Sequence, residues 1–547
     1  MAERFRTGEP YELAGSRLVF TNWRFIRPGH LRWNDDEGRN VSVDVGADQG
    51  PWDAHFRFTE APYGIRLRAH PGQKMPLPIR PEQPWESGDL RVGTWLQDDG
   101  LIKAWGSCGP GSGERYLFYA ESTDGESWDR PKLGLQEFRG SRDNNLFAPA
   151  HEYGNVFIDP SADDERYKWV LSQHISREEY DRYRARRPDA WDPAADRVDV
   201  LDEATPVGEG GLILSMRGAV SPDGVRWNIL PDPLVVQHAD TDLVAYYDTF
   251  LKKYVAYVRD WDVGARSMRE GLVDDRGLSW IAVGRRSIGR AETDDFRNFP
   301  LSDMILTPGP DMLPSDVLYT NSRTTIPGAP DLHLMFPSVW HTANDTTSVI
   351  VASSSDGKIW HYLPGGPVLK TSPVGQWDGG CVFAGPGLVE FANGTWALRY
   401  TGYNVPHKYS RGGLTSAVAI AAWPNGRLIS LEAPSLGQFS TVAIIPPGRK
   451  LRLNARTLRA GSIRVEAAHV ARDTVRAGTF GEVNPRVLAG AWSAEGRTFA
   501  DSNPIIGDHP SVPVTWRGTD DLGHADGDPV ILRFRLDQAE IFGLEFD

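Results

Sequence analysis

Only two cysteines, Cys108 and Cys381, occur in 547 residues. That is too few for a disulfide framework, so they read as separate buried thiols. Nowhere do about 18 apolar residues run together, which excludes a membrane-spanning helix. The opening "MAERFRTGEPYELAGSRL" also lacks the charged-then-apolar order of a secretion signal. A cytoplasmic, soluble protein is expected. An excess of positive charge is missing too: 73 acidic against 59 basic side chains leave a formal charge of −14, with both signs mixed along the chain. That balance argues against nucleic acid and membrane as partners and favours a neutral or polar small molecule. Patterns of the H-E-x-x-H, G-x-S-x-G, P-loop, G-x-G-x-x-G and calcium-loop kinds are absent, so no metal and no cofactor is expected. Tryptophan, by contrast, is abundant at 19, with 17 tyrosines. Aromatic wealth suits stacking on sugars and a large β core equally well.

One pattern recurs along the chain. "AESTDGESW" ends at Trp128, "GAVSPDGVRW" at Trp227, "GRAETDDFRNF" at Phe299, "VASSSDGKIW" at Trp360 and "AIAAWPNGRL" at Leu428. Each copy is an apolar strand, a D-G, N-G or D-D turn and a bulky residue opening the return strand, a hairpin signature. A second hairpin precedes each copy, for example "VGTWLQ-DDG-LIKAWG" and "CVFAGPGLVEF-ANG-TWALRYTG". Each unit therefore holds four antiparallel strands. The long first interval contains a charged, partly helical segment, 175–210, that reads as an insertion and either covers a pocket or decorates the surface. An all-β fold is expected: a five-bladed β-propeller over 81–435, whose closed ring leaves few exposed edges, followed by an antiparallel β-sandwich over 440–547. In the latter, "RKLRLNARTLRAGSIRVEAAH" and "DPVILRFRLDQAEIFGLEF" alternate apolar and polar residues. The first 80 residues contain strand-like pieces whose placement the sequence leaves open.

In a blade the first strand lies innermost and the second runs antiparallel to it, so the start of one and the end of the other share a channel rim. Strand starts supply Trp85, Glu86 and Asp89; His151, Glu152 and Asn155; His238, Asp240 and Asp242; Asp316 and Tyr319; and Trp377 and Asp378. Second-strand ends supply Trp105, His174, Arg259 with Asp260, Trp340 with His341, and Tyr403 with His407. Carboxylates, imidazoles, a guanidinium and aromatic faces would meet in one channel. Glycosidic hydrolysis needs such a set, because a protonated carboxyl must protonate the departing oxygen while an ionised one attacks or activates water. Crowded carboxylates raise one another's proton affinity, which keeps one of them acidic at neutral pH. Trp85, Trp105, Trp340 or Trp377 would stack on the sugar ring. For single Asp and Asn residues the competing reading is a turn cap, and for Arg259 a structural pair with Asp240 or Asp242. Trp128, Trp227 and Trp360 read as packing residues.

Five units of the "S-x-D-G-x-x-W" type followed by a C-terminal β domain resemble the five-bladed-propeller glycoside hydrolases: families thirty-two and sixty-eight in layout, with family forty-three as cousins, and this chain as a divergent branch. By blade position the resemblance implies that Glu86 is the nucleophile or base, Glu152 the modulating acid and Asp240 or Asp242 the proton donor. The rim rule offers Asn155, Arg259, Asp316, Tyr319, His341, Trp377, Asp378 and His407 as substrate contacts, beside Trp85 and Trp105. The "N-D-P-N-G" and "E-C" motifs of those families are absent, and "RDW" at 259–261 ends a second strand rather than starting a first. The expected activity is exo-cleavage of a small oligosaccharide, a furanoside foremost. The alternatives are a non-catalytic sugar- or protein-binding propeller, and transfer or phosphorolysis on the same scaffold.

Overall fold

The structure is a computed structural model, and it describes residues 10–27, 32–34, 40–42, 62–111, 113–149, 154–188, 213–237, 242–262, 285–408, 413–470 and 491–547. It is almost entirely β; among the described residues the one α-helix is Arg177–Arg186.

Most of the predicted hairpins form; at "AIAAWPNGRL" none does, because Ser416–Trp423 and Ile429–Ser440 belong to different sheets, and in the first and third copies the return strand opens at Leu146 and Asp303 rather than at Trp128 and Phe299. Asp89–Asp98, Leu101–Gly109, Tyr116–Ser122 and Leu146–Pro149 make a first four-stranded sheet. The first hairpin turns through Asp99 and Gly100, at φ 50 and 79, the left-handed pair that a two-residue hairpin demands. A five-stranded sheet follows between Asn155 and Val236, then a four-stranded one between Val244 and Leu306. Over 316–370 two four-stranded sheets interleave, because each long strand is interrupted once: Asp316–Thr320 resumes as Thr324–Ile326 after Ser322, at φ 46. Cys381–Glu390, Trp396–Tyr403 and Ser416–Trp423 form the last of the series, completed on its outer edge by Gln73–Pro76 from the N-terminal region.

These sheets close on themselves. Asp89–Asp98 contacts Asn155–Ile158, which contacts Val244–Asp248, and Cys381–Glu390 contacts both Thr324–Ile326 and Asp89–Asp98. A buried side chain bonds to a neighbour's backbone at every junction. Thr94 Oγ1 donates to Gly154 O at 3.1 Å, Asn155 Oδ1 accepts from Ala245 N at 2.9 Å, and Asn321 Nδ2 donates to Asp242 O at 2.8 Å. Thr347 Oγ1 donates to Val382 O at 2.6 Å, and Trp95 Nε1 donates to Gly387 O at 2.7 Å to complete the circuit. At each junction one backbone group that an isolated sheet would expose is thereby satisfied.

The repeated turns stitch the periphery. Ser122, Ser221 and Ser354 each accept from the amide of the glycine three residues on, at 2.8–2.9 Å, while Asp124, Asp223 and Asp356 accept from the two amides after it. The glycine backs onto the neighbouring sheet. Gly224 O accepts from Trp105 Nε1 at 2.6 Å and Gly357 O from Tyr257 Oη at 2.6 Å, while a Cβ on Gly125 would stand 2.2 Å from Phe391. Trp360 packs edge-on against Tyr257 of the preceding sheet, and Trp128 stacks on Trp95.

The C-terminal region is a nine-stranded sheet dominated by Leu451–Val470 and Val530–Phe546. Instead of two separate sheets it is one hydrogen-bonded ladder whose three long strands carry irregularities at one level, between Ala433 and Leu436 and between Thr457 and Ser462 opposite Asp537–Ala539. Bulges at a shared height bend a sheet. Tyr11–Glu12, Arg17–Leu18 and Arg66–Ala69 belong to this sheet, which places the N-terminal pieces the sequence left open. So does Ile429–Ser440, a strand that the expected boundary at 435–440 cuts. Arg17 joins the parts, donating to Glu390, to Glu545 and to Pro327 O.

Candidate functional site

The inner edges of the ring enclose a cavity of about 640 Å³, within the range of about 300–1,000 Å³ usual for small-molecule sites. All of the ring's sheets except that of Thr324–Ile326 supply wall, directly or through the residues leading into them: Gly93; Asn155, Ser172 and His174; Asp242 and Leu243, just before Val244–Asp248; Tyr319 and Thr320; and Phe383, Pro386, Arg399, Thr401 and Tyr403. Strand alternation selects them, since Arg399, Thr401 and Tyr403 share one face of Trp396–Tyr403 while Tyr400 points away. Asp242 sits in the left-handed region at φ 39, a conformation Asp adopts more readily than most residues. Among the described residues it is the one carboxylate of the lining.

One side of the cavity is an aromatic box. The His407 ring centroid lies 4.4 Å from that of Tyr319, 5.2 Å from Phe383 and 5.2 Å from Trp340, each close to edge-on. Behind Tyr319 the Arg286 guanidinium lies 3.8 Å from the ring centre, a cation–π contact in a nearly water-free position. Polar side chains and aromatic faces thus share one lining.

Of the residues singled out in the sequence, Asp242, Asn155, Tyr319 and His407 line this cavity, together with His174 and Tyr403. Asp240 and Glu152, with His151 and His238, lie outside the described residues. Asn155 has its oxygen committed to Ala245 N, so its first duty is to the ring. Asp316 and His341 are joined: His341 Nδ1 lies 2.9 Å from Asp316 Oδ1, and its Nε2 lies 2.9 Å from Ser348 Oγ. Neither belongs to the cavity lining. Arg259 is 5% exposed, with its guanidinium 5.3 Å from the Trp261 ring centre.

The others are elsewhere. Glu86 is fully buried in the short helical turn Pro84–Glu86; Oε2 accepts from the amides of Glu82 and Gln83, and Oε1 from Arg130 Nε at 2.8 Å. It closes a capping box rather than facing the cavity, so the "PWESG" acid is an anchor. Trp85 donates from Nε1 to Asn145 and packs on Phe138, and Trp105 is committed to Gly224 O. Trp377 and Asp378 sit on the opposite face of the last sheet, where Trp377 stacks on Tyr400 and Asp378 Oδ2 accepts from Lys74 Nζ at 2.6 Å. Burial pushes the Asp378 carboxyl up, but the Lys74 ammonium, Ser372 and Tyr400 outweigh it and hold the group below the usual range. The rim rule treated an acid before a strand as pointing inward; in these cases the strand start is consumed by a cap or an outer-face ion pair.

Arg399, Ser172, Phe383 and Arg286 were not singled out. Period-two reading of "WALRYTGY" would have found Arg399 two residues ahead of Thr401 and four ahead of Tyr403. Both cysteines are free and buried, as expected; Cys381 touches the cavity, and burial pushes its thiol up to about 12, so it lines the site as an inert group. The described part of the segment 175–210 is the helix after His174. Ser176 caps it, Glu179 pairs with Arg217, and Tyr180 and Tyr183 pack with Ile175 and Val236. Among the described residues no group of three or more His, Cys, Asp or Glu is arranged to hold a metal ion, and no helix is long and apolar enough to cross a membrane.

No protein-family model matches this chain, and no curated protein does. Solved structures do match in part. One, described as from a family of mannoside phosphorylases that contains glycoside hydrolases targeting β-1,2-mannosidic linkages in Candida mannan, is 13% identical, with a TM-score of 0.35, covering 64% of this chain and 93% of the other. A thermostable family-43 glycoside hydrolase is 12% identical with a TM-score of 0.34, over 62% and 90% of the two chains. A glycosyl hydrolase from Bacteroides ovatus is 14% identical with a TM-score of 0.34, over 63% and 88%. At TM-scores below 0.5 these likenesses carry nothing about chemistry, which rests on the cavity itself.

Proposed function

We propose that this protein is a glycoside hydrolase built on a five-bladed β-propeller, the two interleaved sheets of 316–370 counting as one blade. It acts on a small oligosaccharide, with a furanoside the first class to try. The observation that carries the reading is the cavity: all five proposed blades contribute wall, directly or through the residues leading into them, and aromatic faces, imidazoles, a guanidinium and the Asp242 carboxylate share it. Hydrolysis needs a second carboxyl. Asp240 and Glu152 stand two residues ahead of the lining residues Asp242 and Gly154 in the chain, and they are the proposed partners. Asp240 or Asp242 acts as proton donor and Glu152 as the second acid. Glu86 is withdrawn from the catalytic set because both its oxygens are spent on a cap and an arginine.

The test is release of sugar from a panel of aryl glycosides and short oligosaccharides, followed by amide variants. Of Asp240→Asn and Asp242→Asn, the one that removes the donor is expected to lower kcat by about 10³-fold or more; unaltered turnover in both would remove these residues from the chemistry. Saccharide binding without cleavage is the second reading, favoured by Asp242 being the single lining carboxylate among the described residues. Silence across the panel with binding by calorimetry would select it.

A further inference from the structure

The wall that carries His407 follows the strand Trp396–Tyr403, and its described residues 404–408 meet the turn at 341–346 of the neighbouring sheet. Its neck is closed by Asn404, whose Nδ2 donates to Gly413 O at 2.8 Å and whose Oδ1 accepts from Thr415 N at 2.7 Å. Its root is pressed against the first strand of its own sheet, where Gly380 has no room for a Cβ, which would stand 2.0 Å from Val405. Its far side is hydrogen-bonded to Asp345. Asp345 O accepts from His407 N at 3.1 Å, and the carboxylate accepts from Lys408 N at 2.9 and 3.1 Å. The same carboxylate accepts from Trp340 Nε1 at 2.9 Å. Asp345 therefore ties the loop and the indole that backs His407 to a single point.

We infer that Asp345 is a latch, a positioning residue that holds the His407 wall against the aromatic box and so fixes the shape of the saccharide site; the site's sugar chemistry rests on the proposed function, the latch does not. The chemistry of the residue is specific. Two separate N–H donors converge on its side chain, and a carboxylate answers both because it is acceptor-only. Asparagine has nearly the same volume and tolerates the same left-handed backbone, φ 61 in Asp345. It offers one acceptor oxygen and must turn an NH₂ group toward one of the donors. Asp345→Asn is thus a change of hydrogen-bond sense with little change of packing, at a half-buried position whose bonds to Lys408 are exposed to water.

Hydrogen–deuterium exchange on the full chain tests the latch without any sugar. The Lys408 amide is expected to exchange about tenfold faster in Asp345→Asn, with the strand Cys381–Glu390 unaffected. Asn404→Ala, which opens the neck instead, should loosen the same loop. With a substrate from the panel, the latch predicts a rise in KM of about tenfold with kcat within about threefold, whereas general destabilisation would lower the melting midpoint and leave KM unmoved. Unchanged Lys408 exchange in Asp345→Asn overturns the latch. Faster exchange with an unchanged KM overturns its role at the site. A panel with no substrate counts against the proposed function alone, because the exchange result still decides whether Asp345 holds the loop.

Discussion

Gly385 offers a way to move the cavity's cation without touching it. The residue lies between the lining residues Ala384 and Pro386, and a Cβ built on it would stand 2.1 Å from Arg399 Cζ and 2.3 Å from both terminal nitrogens. Ordinary carbon contact needs about 3.5 Å, so in Gly385→Ala the guanidinium must retreat by about 1.4 Å. Gly385 is not among the glycines of positive φ, so alanine fits its backbone. Loss of glycine's freedom in the unfolded chain contributes about 0.4–1 kcal/mol toward stability, offsetting part of the strain. The expected result is a protein of nearly unchanged melting midpoint with a displaced wall. Misplacements of about 1 Å at a site can cost about 10²-fold in rate. A fall of about 10–100-fold in kcat/KM, roughly 1.4–2.7 kcal/mol, is therefore predicted, read by steady-state sugar release beside a circular-dichroism melt. A kcat/KM within twofold of wild type at an unchanged midpoint would refute the idea that Arg399 is held in place for the ligand.

Stability predictions follow from two buried polar clusters. Lys168 and Asp159 are 1% and 0% exposed and 2.7 Å apart, with Ser161 and Tyr254 completing the carboxylate's bonds. Lys168→Met leaves that carboxylate buried without its cation and should cost about 3–5 kcal/mol; a midpoint drop below about 2 °C in thermal unfolding would contradict this. Burial pushes the Asp159 carboxyl up, but Lys168, Ser161 and Tyr254 hold it below the usual range. Its stabilisation is therefore present above the unfolded value near pH 4 and lost as pH falls through the folded one, and Lys168→Met should move that acid limb upward. Burial, helped by the Arg323 charge, lowers His333 to about 3, while Arg323 Nη2 donates to its Nδ1 at 2.6 Å. Between the unfolded value of about 6.5 and about 3 the unfolded chain holds the extra proton, so stability falls with acidification by up to about 1.4 kcal/mol per pH unit from this group. His333→Gln keeps an acceptor for Arg323 and cannot titrate. It should flatten denaturant-midpoint profiles over that window, and an unchanged slope would refute the assignment.

The all-β class and most hairpin positions were legible because they depend on local signals: left-handed turn pairs such as Asp99–Gly100, D-G turns at the repeats, and apolar–polar alternation in Leu451–Val470 and Val530–Phe546. What was not legible depends on partners far along the chain. Nothing in "GQKMP" says that Gln73–Pro76 completes a sheet whose other strands begin over 300 residues later, nor that "RLRA" at 66–69 pairs with Ile429–Glu432. At the site, Tyr319, Asp242 and His407 were recoverable from strand ends. Glu86, Trp105 and Asp378 were not separable from them, because an acid or indole beside a strand looks the same whether it faces a cavity, caps a turn or pairs with a lysine on the outer face. Arg399 lay in mid-strand, where a rule confined to strand ends does not look.

The bonds that close the ring and the bonds that hold the wall differ in kind, and the difference sorts the effects of mutation. Thr94, Asn155, Asn321 and Thr347 reach the neighbouring sheet's backbone in buried positions. Losing one leaves an unsatisfied buried group at a cost of about 1–3 kcal/mol with no compensating water. The Asp345 carboxylate holds Lys408 N at the surface, where water replaces the lost partner. A ring substitution therefore registers in unfolding before it registers in the cavity, whereas a change at Asp345 registers in the wall's opening while the ring stays closed.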